Sequence, residues 1–185
     1  MCLNHEINRL GLSSSINKIP LKAIQFHEYG SPDVLSYEDT DPPEIEPTDL
    51  LIDVHAAGVN PVDWRYRKGQ LKWYDWFSSF PRRPGCDFAG KVIETGDAVS
   101  KFENGQRVYG MTGPLESGTY AEQIAVPAEY VAEIPKKLSM VEAAGLPLVC
   151  LTSLQALRDK ARIQNGEKIL INGASGGVGI AAVQM

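Results

Sequence analysis

From Lys22 onward, apolar and polar positions follow one another in short runs broken by glycine and proline. Ala23-Ile24-Gln25-Phe26 and Val34-Leu35-Ser36-Tyr37 read as strands. Asp41-Pro42-Pro43-Glu44-Ile45-Glu46-Pro47 is a proline-rich connector without regular structure. Leu50–Val59 is a longer strand, and further strands are predicted at Gly90–Thr95, Arg107–Met111, Tyr120–Val126 and Val131–Ile134. Many short strands with turn residues between them point to a barrel or a sandwich.

The periodicity then becomes helical. Ser139-Met140-Val141-Glu142 has the form of a capping box, so a helix is expected to start there. Pro147 is expected to break it, leaving a short helix followed by a longer one over about Thr152–Lys160. Asn165-Gly166 is a turn, and Lys168-Ile169-Leu170-Ile171 reads as a buried strand. It leads into Asn172-Gly173-Ala174-Ser175-Gly176-Gly177-Val178-Gly179, and Val178–Val183 can open a packed helix.

That strand, glycine loop and helix form the opening unit of a dinucleotide-binding fold. Glycine tolerates the tight turn and lets a pyrophosphate approach the backbone. The helix N-terminus offers free N–H groups and partial positive charge to that anion. In the G-x-G-x-x-G frame the first position is Ala174, preceded by Gly173, and the other two are Gly176 and Gly179. The alternative reading of this hexad is a structural turn without ligand.

Composition narrows the field. The chain has 185 residues, net charge −5 and 43% hydrophobic residues, as in ordinary globular proteins. The acidic balance and the lack of a basic stripe argue against nucleic acid as partner. No apolar run reaches the ~18–20 residues of a membrane helix. Cys2, Cys86 and Cys150 are odd in number and scattered, which suits a reducing compartment better than a disulfide framework. Residues 1–21 carry Ser13-Ser14-Ser15 and no strand alternation, and are expected to form a flexible extension. A cytoplasmic location is expected, with an organelle as the alternative if this stretch is a transit segment.

The order of motifs resembles the medium-chain dehydrogenase/reductase superfamily, and within it the zinc-independent quinone oxidoreductase-like branch. The matching text is Ala56-Ala57-Gly58-Val59-Asn60-Pro61-Val62-Asp63, Pro84-Gly85-Cys86-Asp87-Phe88-Ala89-Gly90-Lys91-Val92, Gly105–Gly110 and Gly118–Glu122. Ala143–Leu148, Leu151–Leu157 and the glycine loop continue it. The resemblance implies a mixed α/β protein: a GroES-like β-barrel over residues 22–140, then the start of a Rossmann domain over 141–185. It further implies hydride transfer from NADPH to a small apolar quinone or α,β-unsaturated carbonyl bound between the two domains.

Zinc-dependent members of that superfamily place a cysteine where this chain has Asn60, and a histidine where it has Cys86. Three cysteines without C-x-x-C spacing and the unpaired His5, His27 and His55 do not make a zinc set, so no metal is expected. An enolate formed on reduction then needs another donor. By resemblance Asn60 lies near the nicotinamide and Asp63 holds its loop; Asp63 as a helix cap is a compatible reading. Tyr66, with Arg65, is a candidate donor from a helical turn starting at Pro61, and packing is the alternative. Thr152 matches a cofactor-contacting position, with a helix cap as its alternative. Together with Asn60 and Thr152, Gly173, Ala174, Ser175, Gly176, Gly177, Val178 and Gly179 complete the expected cofactor set. The aromatic cluster Leu71–Phe77 reads as a cleft wall or as packing.

A βαβ unit takes ~30 residues, and the residue that would choose NADP over NAD is expected ~20 residues past the loop, beyond Met185. NADPH therefore rests on the resemblance, and NADH stays open. The chain reads as a fragment of a longer reductase, homodimeric in its full form, and alone is expected to lack the sheet that supports its loop. A non-catalytic relative that keeps the fold, and a barrel acting as an interaction module, are the rival readings.

Overall fold

The computed structural model of the chain describes residues 20–72, 79–113 and 118–185. The extension over residues 1–19 and the aromatic residues Trp73–Phe77 lie outside them. Strands β1 (Leu21–Phe26) and β2 (Leu35–Thr40) form an antiparallel hairpin. Strands β3 (Asp49–Ala57), β4 (Asp87–Thr95), β5 (Arg107–Met111), β6 (Gln123–Pro127) and β7 (Val131–Glu133) form an antiparallel sheet in the order β6-β3-β4-β5-β7.

One connection sets the shape of that sheet. β6 and β7 occupy opposite edges, yet only the short turn Ala128–Tyr130 joins them. Such a link spans at most ~14 Å, whereas the edges of a flat five-stranded sheet lie ~19 Å apart. The sheet must therefore roll up. Leu50, Ile52, Phe88, Val92, Val108, Ile124, Val126 and Val131 fill the interior, each 5% exposed or less. Each contributes roughly 1.5–3 kcal/mol of burial free energy. The β1–β2 hairpin is tied to this sheet through Tyr120 and Glu122: Ile24 N–H donates to Tyr120 O, and Glu122 N–H to Lys22 O.

Four helices matter to the site: α1 (Pro61–Arg67), α2 (Met140–Ala144), α3 (Pro147–Leu154) and α4 (Gly177–Gln184). Ser139 and Glu142 make the expected capping box: Glu142 N–H donates to Ser139 Oγ at 3.2 Å, and Ser139 N–H to Glu142 Oε2 at 2.8 Å. α2 packs Ala143 and Ala144 over Ala89 and Ile134, on the outer face of β4 and β5. Phe88 points into the barrel while Ala89 faces α2, so β4 is buried on both faces.

Three expectations need correction. Pro147 starts a helix rather than breaking one, because the first helical turn needs no N–H from that residue. α3 then runs on through wider, π-helical turns over Gln155–Ala161 to Arg162, whose φ of 52° ends it. The strand predicted over Tyr120–Val126 begins only at Gln123, since Tyr120 O and Glu122 N–H bond to β1, although Glu122 O still accepts from Val54 N–H of β3. Finally, Lys168–Ile171 is not a strand. An apolar run of that kind needs flanking parallel strands, and no strand among the described residues pairs with it. Leu170 is accordingly 96% exposed.

Candidate active site

The site grows from the place where β3 ends. Gly58 follows the strand, and its N–H donates to the Asp87 carbonyl at 3.1 Å. A Cβ at Gly58 would lie 2.6 Å from Ala144 O and 2.8 Å from Asp87 Cβ, so only glycine admits this approach of α2 and β4. Asn60 then takes the N-cap position of α1 in extended conformation, with Pro61 preset for the first turn.

Asn60 and Asp63 come together as expected. Asn60 N–H donates to Asp63 Oδ2 at 2.6 Å. Tyr120 Oη–H donates to the same oxygen at 2.9 Å, and the Cys86 thiol to Asp63 Oδ1 at 3.6 Å. The carboxylate is 5% exposed and thus serves as the hub of three elements.

The Asn60 side chain turns the other way, towards Asp87. Its Nδ2 donates to Asp87 Oδ2 at 2.9 Å, and Leu148 N–H donates to Asp87 Oδ1 at 3.0 Å. Asp87 is 1% exposed. It shares the outer face of β4 with Ala89, two residues on, which α2 covers. The carboxylate therefore caps the N-terminus of α3 from inside the protein. Burial pushes its pKa from 3.8 up to about 6, against the opposing pull of the Asn60 and Leu148 hydrogen bonds and with a further upward push from Asp63. Burial, together with Asp63, also pushes the Tyr120 phenol upward, so this hydroxyl stays protonated.

α3 leads from that cluster to the glycine loop. Val149 packs against Gly177, where an added Cβ would lie 2.9 Å from Val149 Cγ1. The Ser153 hydroxyl lies 2.9 Å from Val149 O and 2.6 Å from Val178 O, and its single hydrogen is shared between them. Gly173 turns the chain at φ 76°, and Gly176 caps α4 in extended conformation. Gly173 to Val178 are exposed and Gly179 is buried against the loop: a Cβ there would lie 2.2 Å from Gly173 O. An exposed glycine loop at the mouth of an eight-residue helix fits a pyrophosphate, whose approach needs bare backbone.

Three predicted residues lie outside this hydrogen-bonded cluster. Tyr66 is buried in an aromatic corner, its ring edge-on to Phe26 at 5.5 Å and 6.0 Å below the Arg82 guanidinium. The ring packs in this corner, as the structural alternative for Tyr66 expected. Arg65 is exposed and lies over the Trp64 ring. Thr152 is exposed on α3, next to the buried Ser153.

Residues 46–136 match the alcohol dehydrogenase GroES-like domain. The chain is 40% identical to the 2-methylene-furan-3-one reductase of Solanum lycopersicum over 172 residues, covering 89% of this chain and 44% of that protein. It is 37% identical to the human quinone oxidoreductase, covering 89% of this chain and 49% of that protein. The solved quinone oxidoreductase of Coxiella burnetii superposes with a TM-score of 0.82 at 38% identity, over 89% of this chain and 52% of that one. The chain belongs to the quinone oxidoreductase-like medium-chain dehydrogenase/reductase family. It spans about half the length of the curated relatives it matches.

In this chain the amide residue Asn60 links the Asp63 and Asp87 carboxylates, through its backbone N–H and its Nδ2. Among the described residues no three His, Cys, Asp or Glu side chains converge to hold a metal ion. No described helix is long and apolar enough to cross a membrane. Sequence reasoning missed Asp87, Tyr120 and Ser153 as parts of this arrangement. The signal for Asp87 was present: an acidic residue inside the apolar run Cys86-Asp87-Phe88-Ala89 has to be paired if it is buried.

Proposed function

We propose that this chain carries the substrate-side barrel and the phosphate loop of a zinc-independent oxidoreductase that reduces a quinone or an α,β-unsaturated carbonyl at the expense of NADPH. Residues 22–140 form the catalytic domain in this reading and residues 141–185 begin the nucleotide-binding one. The names of the relatives, quinone oxidoreductase and NADPH-dependent alkenal/one oxidoreductase, support the reaction class. The observation that carries the reading is that α3 links both halves of a reductase site: Asp87 and Asn60 at its N-terminus, the exposed glycine loop along its side.

A nicotinamide bound here supplies the hydride. The exposed backbone of Gly173, Ala174, Ser175, Gly176, Gly177 and Val178 would cradle the pyrophosphate, the buried Gly179 would let the loop close behind it, and Thr152 on the neighbouring helix would belong to the same cofactor region. Asn60 presents its second Nδ2 hydrogen and its Oδ1 to the reacting pair, since the first hydrogen is taken by Asp87. A donor at that point stabilises the negative charge that develops on the substrate oxygen. Asp63 keeps the Asn60 backbone fixed while this happens. Tyr66 supports the corner behind α1.

The test is NADPH oxidation by the protein with a naphthoquinone and with a simple enone, each in the presence and absence of a zinc chelator. Turnover indifferent to the chelator, and lowered at least about tenfold in Asn60→Ala, is expected. Absence of both NADPH binding and turnover overturns the reading.

A further inference from the structure

We propose that Asp87 is a positioning residue for the reduction: it sets which end of the Asn60 amide is left for the substrate and fastens that choice to the N-terminus of α3. The inference rests on the reductase reading above for its effect on turnover, and on geometry alone for its effect on Asn60.

An ionised carboxylate only accepts, so both partners of Asp87 must donate. Leu148 N–H, a backbone donor fixed by α3, occupies Oδ1 at 3.0 Å. Oδ2 can therefore be met at 2.9 Å only by the NH2 end of Asn60. This turns Asn60 Oδ1 and the second Nδ2 hydrogen to the remaining side of the amide. Gly58 crowds the pair from the third side, where even a Cβ would lie 3.1 Å from Asp87 Oδ2. The Asp87 main chain is equally constrained, its carbonyl accepting from Gly58 N–H and from Thr119 Oγ1 at 2.9 Å. A wrong amide flip would put two acceptors face to face in a buried site, with a penalty no exposed asparagine pays.

The arrangement also defines how to break it without changing a volume. In Asp87→Asn the new amide must turn its oxygen to Leu148 N–H, because that donor cannot move. Its NH2 then faces Asn60, which has to rotate by half a turn to offer Oδ1. The helix stays anchored, and only the end of the Asn60 amide turned away from residue 87 is reversed. Protonation of Asp87 permits the same reversal in the wild-type protein. The other titratable groups around it are Asp63 on α1, Cys86 ahead of β4, Tyr120 ahead of β6 and Cys150 on α3.

Two measurements test the inference. The side-chain amide 1H–15N pair of Asn60, identified by its loss in Asn60→Ala, is followed over pH in wild type and in Asp87→Asn. A wild-type signal that shifts with a midpoint near pH 6, and sits at a different, pH-independent position in Asp87→Asn, is expected. Steady-state kinetics then compare the two proteins: kcat is expected to fall at least about tenfold in Asp87→Asn with the KM for NADPH within about twofold. Wild-type kcat is expected to fall below pH 6, and the variant profile to be flat there. An Asn60 signal indifferent to both pH and substitution overturns the proposal, as does an Asp87→Asn enzyme with wild-type kcat and pH profile. The wild-type pH series requires no variant to fold. If the wild-type protein does not oxidise NADPH, the reductase reading falls, and the Asn60 signal still decides whether Asp87 orients the amide.

Discussion

Tyr120 Oη donates to Asp63 Oδ2 at 2.9 Å, joining the segment ahead of β6 to the first turn of α1 across 57 residues of sequence. Burial and Asp63 both push the phenol upward, so the donor keeps its proton. Tyr120→Phe leaves a buried carboxylate one donor short. We expect a loss of about 1.5–3 kcal/mol, the range for hydrogen bonds to charged groups. Urea unfolding at neutral pH measures it, and a change below about 0.5 kcal/mol would show that the bond contributes nothing.

Asp87 makes stability depend on pH in an unusual direction. Its folded pKa of about 6 lies above the ordinary 3.8, so the folded chain holds the proton more tightly than the unfolded one. Stability from this group is therefore full below pH 4 and lost as pH rises through 6. Two units correspond to about 3 kcal/mol. Asp87→Asn removes the ionisation, so the variant gains on wild type between pH 4 and pH 8. Equal stability differences at both ends would refute this assignment.

Gly179 and Gly177 separate by what they touch. An alanine Cβ at Gly179 meets backbone, Gly173 O at 2.2 Å and Ala174 Cα at 2.6 Å, and the loop must move. At Gly177 it meets the Val149 side chain at 2.9 Å, which can rotate away. Gly179→Ala is expected to weaken NADPH binding at least about tenfold, and Gly177→Ala much less. Fluorescence titration with NADPH gives both values, and the reverse order would overturn the loop assignment.

Neighbouring hydroxyls on α3 divide structure from binding. Ser153→Ala removes the hydrogen bond from α3 to Val178 O of α4 and should lower stability by about 1 kcal/mol. Thr152 is exposed, so Thr152→Ala should leave the melting temperature unchanged and weaken NADPH binding. A stability loss in Thr152→Ala with unaltered affinity would assign that residue to the helix rather than to the cofactor.

Much of this architecture could be read from neighbouring residues. The strands around Ile52, Val92 and Val108 follow from alternation, and the start of α2 follows from Ser139 and Glu142, because those signals are local. Asn60 and Asp63 stood out through the family resemblance of Ala56–Asp63, and the spacing of a helix cap and its partner was the compatible local reading. The bonds of Asp87 were illegible for the opposite reason. Asn60 lies 27 residues before it and Leu148 lies 61 residues after it, and only the covering of β4 by α2 and α3 brings them together. Lys168–Ile171 misled in the same way, since an apolar run signals burial but not whether strands are present to bury it.

The short turn Ala128–Tyr130 has a mechanical meaning for the whole barrel. Because it ties the two outermost strands of the sheet, it works as a hoop clasp rather than as a surface loop. A protease nick there would not trim the molecule. It would free β6 and β7 to swing apart, unroll the cylinder and expose the apolar interior that Leu50, Phe88 and Val131 fill.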